Sequence, residues 1–309
     1  GTREASYASG AAFADVDGNG YPDLFLPGVR EFGLRLYLND GSSFTAADAS
    51  WGLAGASEDH LSLSFADVNN DGRLDAAVTH WNNMLAQGGI GHLWMNQGGQ
   101  FIAQGDSWGV SDAFSNGDYS FTPNFADFNG DMLPDLVISS DFNTSQTYLN
   151  VANSHFTNTT NEFVITDENG MGSALGDYDN DGDLDWFVTS IYDTEINPSW
   201  GTSGNRLYRN DGAGVFTDVT ESAGVREGFW GWGACMQDFN NDGLLDIYHV
   251  NGWNPVQSPF QSDPARLYLN QGNGQFVDVA LEHQVGDTGQ GRGIVCFDYD
   301  RDGDIDIFI

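Results

Sequence analysis

At 309 residues the chain is long enough to bury a sizeable core, and 40% hydrophobic residues with 9 Trp, 11 Tyr and 21 Phe can fill one. Forty-five acids face ten bases, all of them arginine, for a formal charge of −35. That balance excludes nucleic acid and anionic membrane as partners, because both need a basic face, and no stretch has the apolar length of a membrane span.

Taken from the N-terminus, the chain repeats one acidic loop six times. The first is Asp15-x-Asp17-x-Asn19-Gly20-x-x-Asp23 and the second Asp67-x-Asn69-x-Asp71-Gly72-x-x-Asp75. The third is Asp127-x-Asn129-x-Asp131-Met132-x-x-Asp135, and the fourth, Asp177-x-Asp179-x-Asp181-Gly182-Asp183-x-Asp185, is the most acidic with the sixth. The fifth is Asp238-x-Asn240-x-Asp242-Gly243-x-x-Asp246 and the sixth Asp298-x-Asp300-x-Asp302-Gly303-Asp304-x-Asp306. From first aspartate to first aspartate the steps are 52, 60, 50, 61 and 60 residues, a period that marks solenoids, propellers or arrays.

Oxygen-bearing side chains stand at positions 1, 3, 5 and 9 of each loop. Alternate residues of a tight turn point inward, so these oxygens converge. Carboxylates held that close repel unless a cation sits among them, and hard oxygen donors suit Ca²⁺. Glycine at position 6 permits a positive φ. An EF-hand is excluded because it needs a bidentate Glu at position 12, where this chain has Leu26, Val78, Ile138, Val188, His249 and Ile309. The pattern predicts about six structural Ca²⁺ sites. Positions 1, 3, 5 and 9 supply side-chain oxygens, and position 7 (Tyr21, Arg73, Leu133, Asp183, Leu244 and Asp304) supplies a main-chain carbonyl. Met132 replaces the glycine in the third loop. A non-glycine residue at positive φ costs about 1–2 kcal/mol, so that site is expected to bind more weakly. Metal-free Asp-Gly hairpin turns would explain one such loop, but six at matched positions favour metal.

Each loop sits between β-like pieces. In the fourth repeat Met171 to Gly176 leads in and Leu184 to Ser190 leads out. Arg206 to Asn210 follows, then a glycine turn and Val215 to Thr220. The third piece recurs as Leu36-Tyr37-Leu38-Asn39, Leu93-Trp94-Met95-Asn96, Thr147-Tyr148-Leu149-Asn150 and Leu267-Tyr268-Leu269-Asn270. The phenylalanine of the fourth recurs as Phe44, Phe101, Phe156, Phe216 and Phe276. Nothing has helical periodicity over ten residues. Four short antiparallel strands at this period describe the blade of an all-β propeller. The whole chain then forms one propeller domain, with blades at about 6–59, 60–118, 119–170, 171–230 and 231–290 and a partial sixth at 291–309. The unpaired edge of that sixth blade is a liability, and self-association through it is one expected remedy. Cys235 and Cys296 lie at opposite parity before their loops, so on neighbouring blades they either face each other as a disulfide or stay as two buried thiols.

The acidic loops, the Leu-Tyr-x-Asn hairpins and the stretch Asp218-Val-Thr-x-x-Ala-Gly-Val225 resemble FG-GAP/VCBS repeats, the type that builds the integrin α-subunit propeller. The segment from Gly291 to Phe308 resembles more narrowly the cartilage acidic protein family, in which an ASPIC/UnbV segment follows the propeller. That resemblance implies a secreted, Ca²⁺-binding propeller of about seven blades used in adhesion or matrix contacts.

In such a blade the connections between second and third strands lie opposite the Asp loops, and variable loops on a rigid scaffold tend to carry function. Trp81, Phe142, Tyr192, Trp200 and Trp253 fall on these connections. They form a protein- or glycan-contact face, or else each ring folds back over its own loop. Trp230 and Trp232 are expected in inter-blade packing. No nucleophile, zincin or phosphate-loop motif is present, so the expected role is an extracellular adhesion or scaffold module without enzymatic activity. A lectin-like carbohydrate binder is the alternative, and a polysaccharide lyase comes third, lacking a basic cluster for a uronate.

Overall fold

The computed structural model describes residues 10–28, 33–53, 60–81, 92–110, 119–193, 201–253 and 260–309. Among these residues it contains five four-stranded antiparallel sheets and one two-stranded sheet, with strands neighbouring in chain order inside each. Sheet one comprises Ala12–Ala14, Asp23–Leu26, Arg35–Asn39 and Phe44–Ala46. Sheet two comprises His60–Ala66, Asp75–His80, Leu93–Asn96 and Phe101–Ala103, and sheet three Ser120–Ala126, Asp135–Ser140, Gln146–Val151 and His155–Asn158. Sheet four comprises Ser173–Gly176, Asp185–Val188, Arg206–Asn210 and Phe216–Asp218, and sheet five Gly231–Gln237, Asp246–Asn251, Arg266–Asn270 and Phe276–Asp278. Sheet six pairs Val295–Phe297 with Asp306–Phe308. Such four-stranded meanders are propeller blades, and the fold class is the all-β propeller.

Two compact units are present, Gly1–Asp127 with Asp131–Ile138 and Gln146–Thr159, and Phe128–Gly130 with Ser139–Ser145 and Thr160–Ile309. Both cores are built the same way, because alternate residues of each strand point to opposite faces and every inner sheet must bury both. In the first unit Phe25, Val78, Trp94 and Phe101 pack between sheets one and two, and Ala77, Leu136, Tyr148 and Phe156 between sheets two and three. In the second, Phe187, Leu207, Ile247, Tyr268 and Phe276 pack between sheets four and five. Tyr248, Val250 and Leu267 meet Ile294 and Ile307 between sheets five and six.

The fourth strand of sheet four ends at Asp218, two residues short of the expected Thr220. Thr220–Ala223 is instead a single helical turn closed by Gly224 at φ 76°. The Asp218 side chain accepts the Thr220 amide at 3.0 Å, and the Thr220 hydroxyl accepts the Leu207 amide at 2.9 Å. These local bonds outcompete extension of the strand.

Cys235 and Cys296 form a disulfide between the first strands of sheets five and six, with Cα atoms 6.4 Å apart. The opposite parity of the two cysteines is therefore realised as a pair, and the free-thiol alternative falls away. No helix among the described residues is long and apolar enough to cross a membrane.

Candidate metal centres

The six acidic loops share one backbone. The carboxylate at position 1 accepts two amides, from position 5 through Oδ1 and from position 6 through Oδ2. For Asp177 these are Asp181 and Gly182, both at 3.0 Å; for Asp67 they are Asp71 at 2.9 Å and Gly72 at 2.7 Å. Position 5 then accepts the amide of position 7, as in Asp181 from Asp183 at 3.0 Å and Asn19 from Tyr21 at 2.8 Å. Position 6 has positive φ throughout, including Met132 at 66°. Position 4 does as well, at Gly18, Asn70, Gly130, Asn180, Asn241 and Arg301. Sequence reading missed that second left-handed residue. Its signal was there, because position 4 is Gly or Asn in five loops and these residues enter that region most readily.

Position 9 opens the second strand and is fully buried in the five four-stranded sheets, at Asp23, Asp75, Asp135, Asp185 and Asp246. One oxygen accepts the position-2 amide, as from Tyr178 to Asp185 at 3.0 Å. The other accepts the amide of the third-strand asparagine: Asn39, Asn96, Asn150, Asn210 and Asn270 donate at 2.7 to 2.9 Å. Burial outweighs these bonds and raises the carboxyls, Asp75 and Asp185 to about 7 and Asp246 to about 6. At Asp300 the neighbouring charge of Asp302 is the leading cause of an upward shift.

Three carboxylates bring ligand atoms within 4.8 Å of one another in loop one (Asp15, Asp17, Asp23), loop four (Asp177, Asp179, Asp185) and loop six (Asp298, Asp300, Asp302). This crowding of hard, charged oxygens fits a divalent cation of the Ca²⁺ type. Loops two, three and five carry Asn at position 3; each holds three acids, as loop one does, against five in loops four and six. In loops two and five that amide donates to position 5, from Asn69 to Asp71 at 2.8 Å and from Asn240 to Asp242 at 3.0 Å. Loop two also has a cation of its own. The Arg73 guanidinium donates to Asp71 at 2.5 Å and to the Asn96 carbonyl at 2.9 Å, a side-chain role unread in the sequence, where Arg73 figured only as a carbonyl. In loop three Asp127 accepts the Asp131 and Met132 amides at 3.2 and 2.7 Å.

The aromatic residues of the opposite connections behave individually. Trp81 bridges to Tyr119 and lays its ring 5.7 Å from the Tyr119 ring, edge-on. Trp253 stacks on Trp230 at 5.0 Å and on Trp232 at 6.0 Å, with Arg292 4.1 Å over Trp232. These two rings therefore fold back onto the scaffold, and Trp253 joins the tryptophans assigned to packing while staying 36% exposed. Phe142 is exposed, at φ 59°. The Tyr192 hydroxyl donates to Glu227 at 3.4 Å. Trp200 lies outside the described residues.

A sequence profile described as the FG-GAP-like repeat matches residues 15–78, 127–188, 197–249 and 258–309. The chain is 26% identical to cartilage acidic protein 1 of Xenopus tropicalis over 97% of its own length and 47% of that protein. It is 34% identical to the Mus musculus protein of the same name over 34% of this chain and 15% of that protein. It thus spans about half the length of the frog relative it matches. Among solved structures, an Agrocybe aegerita lectin, described by its specific recognition of non-reducing terminal N-acetylglucosamine, aligns over 97% of this chain and 74% of that one. The TM-score is 0.54 at 19% identity.

Proposed function

Because this chain belongs to the FG-GAP-like repeat family, we propose that it is a secreted, calcium-stabilised β-propeller that serves as an adhesion or scaffold module for an extracellular protein partner. The observation that carries the metal assignment is the convergence of three carboxylates within 4.8 Å in each of loops one, four and six. Ca²⁺ there neutralises the crowded charges and braces the corner between first and second strands. We assign side-chain oxygens of positions 1, 3, 5 and 9 and the position-7 carbonyl as its ligands, and extend the assignment to loops two, three and five. Secretion is supported by the Cys235–Cys296 disulfide, since disulfides persist mainly in oxidising compartments, and by the name of the cartilage relatives. Calorimetric titration of the metal-stripped protein tests the assignment. The expected result is saturable Ca²⁺ binding that loses one site in Asp177→Asn/Asp179→Asn. Absence of Ca²⁺ binding rejects it.

A lectin-like reading has one observation in its favour, the partly exposed Trp253 held rigid by Trp230 and Trp232. A stacked indole is a ready platform for a sugar face, and the fold is one that a lectin also uses. Glycan-array binding that disappears in Trp253→Ala but persists in Trp81→Ala would establish it. A silent array leaves the protein-partner reading in place.

A further inference from the structure

Loops two and five are almost the same loop. Their sequences, Asp67-Val-Asn-Asn-Asp-Gly-Arg-Leu-Asp75 and Asp238-Phe-Asn-Asn-Asp-Gly-Leu-Leu-Asp246, differ only at positions 2 and 7. Their hydrogen bonds match one for one. Asp67 accepts the Asp71 and Gly72 amides at 2.9 and 2.7 Å, and Asp238 accepts the Asp242 and Gly243 amides at 3.0 and 2.9 Å. The position-3 asparagine accepts the position-5 amide at 3.0 Å in both. Position 5 accepts the position-7 amide, from Arg73 at 3.1 Å and from Leu244 at 2.9 Å. Position 9 is fully buried in both and accepts the amide of its third-strand asparagine at 2.8 Å.

What separates them is the side chain at position 7. Both side chains run along the glycine turn that follows the third strand. A Cβ built on Gly98 would lie 3.8 Å from Arg73 Cδ, and one built on Gly272 would lie 3.3 Å from Leu244 Cδ1. Leu244 ends there. Arg73 continues, donating through Nε to the Asn96 carbonyl at 2.9 Å and through Nη2 to Asp71 Oδ2 at 2.5 Å. The same oxygen accepts Asn69 Nδ2 at 2.8 Å, as Asp242 Oδ2 accepts Asn240 Nδ2 at 3.0 Å. The Asp71 side chain is 25% exposed, so solvent screens the pair only in part. Loop two therefore carries a cation of its own, and position 7 of loop five supplies none.

We propose that Arg73 is a tethered competitor for the divalent cation in loop two, so that loop two binds Ca²⁺ more weakly than loop five and holds its shape better without it. The inference rests on the calcium reading of the acidic loops. Affinity in oxygen-donor sites follows the charge of the donor set. The guanidinium lowers that charge by one and is already bonded to a position-5 oxygen. An ion that takes Asp71 has to displace it, against the repulsion of like charges.

The experiment is a Ca²⁺ titration of the intact chain in chelator-buffered solution at low ionic strength, well below the melting temperature. It is read by hydrogen exchange in peptides covering residues 67–75 and 238–246. In the wild type, loop five is expected to reach half-protection at about three- to tenfold less Ca²⁺ than loop two. Arg73→Leu, which gives loop two the side chain of loop five, should bring the two midpoints together and reduce the protection of loop two in excess chelator. Leu244→Arg should raise the loop-five midpoint by a similar factor. Equal midpoints in the wild type, or a loop-two midpoint that Arg73→Leu leaves in place, overturn the proposal while the calcium reading stands. A chain in which neither loop gains protection from Ca²⁺ overturns both.

Discussion

The side chain of Asn96, in sheet two, donates through Nδ2 to the carbonyl oxygen of Val16, in the first acidic loop, at 2.9 Å. Both residues are buried. The bond ties one blade to the metal-loop corner of the blade before it, so stability of the loops and packing of the sheets are coupled.

Asn270 tests that coupling in the second unit. Its Nδ2 serves the Tyr178 and Leu245 carbonyls at 2.8 and 3.1 Å, and its Oδ1 accepts the Gly272 amide at 3.0 Å. Asn270→Ala orphans these groups in a buried setting, and a loss of about 2–3 kcal/mol is expected in denaturant unfolding. The Asn39 side chain bonds the Pro22 carbonyl and the Gly41 amide, near the surface, so Asn39→Ala should cost about 1 kcal/mol or less. Equal losses would show that the link to the preceding loop is worth nothing.

Chelation should lower the melting temperature sharply. Extracellular Ca²⁺ modules have dissociation constants of about 0.1–1 mM, so at about 10 mM Ca²⁺ each occupied loop adds roughly 1.4–2.7 kcal/mol. Several loops together approach the stability of a domain, about 5–15 kcal/mol. A melting temperature that EDTA leaves within a degree or so would sink the structural role.

Met132 is 89% exposed and held at φ 66°. Met132→Gly removes the strain of a side chain in the left-handed region, partly offset by the freedom glycine adds to the unfolded chain. We expect a net gain of about 0.5–1 kcal/mol and tighter binding in loop three. Thermal denaturation of the two proteins side by side, with and without Ca²⁺, measures both.

The Cys235–Cys296 bond closes a separation of 61 residues. Its removal by Cys235→Ala/Cys296→Ala should cost about 2–4 kcal/mol, read by urea unfolding. Reduction of the wild type should move its midpoint to that of the double variant. If the two midpoints differ widely, the stabilisation is not that of the cross-link.

His249 is buried between the Phe187 and Tyr268 rings, 6.0 and 5.8 Å away. Its pKa is pushed down to about 4 by burial, aided by the Arg266 charge. The unfolded chain protonates near 6.5, so it binds the proton more readily than the folded one. Stability from this group is complete above about pH 6.5 and is lost as pH falls toward 4. His249→Leu should therefore flatten the decline in melting temperature between pH 7 and pH 5. An unchanged slope would mean that other groups set the pH dependence, among them Asp75, Asp185 and Asp246, whose carboxyls burial raises into the same range.

The acidic loops were legible in the chain because their geometry is local. Nine consecutive residues carry the turn, the converging oxygens and the start of the next strand, so spacing alone reports the donor set. Position 4 escaped notice for want of a chemical role, since Gly18 and Asn180 act only through backbone conformation. Trp253 is the surface ring that the sequence suggested, 36% exposed, but its stacking on Trp230, 23 residues earlier, is a tertiary contact that spacing does not report.

The sequence by itself determined the repeat, the all-β blades, the loop chemistry and the acidic character, all consequences of short-range pattern and composition. Tertiary structure decided what each repeated residue does to its neighbours. The third-strand asparagine is visible five times in the chain, but in four of them (Asn96, Asn150, Asn210 and Asn270) Nδ2 has an acceptor 80 to 92 residues away, and only packed sheets bring it within a hydrogen bond. The cysteine pair was decided in the same way, because parity allowed two outcomes and the approach of sheet six to sheet five selected one.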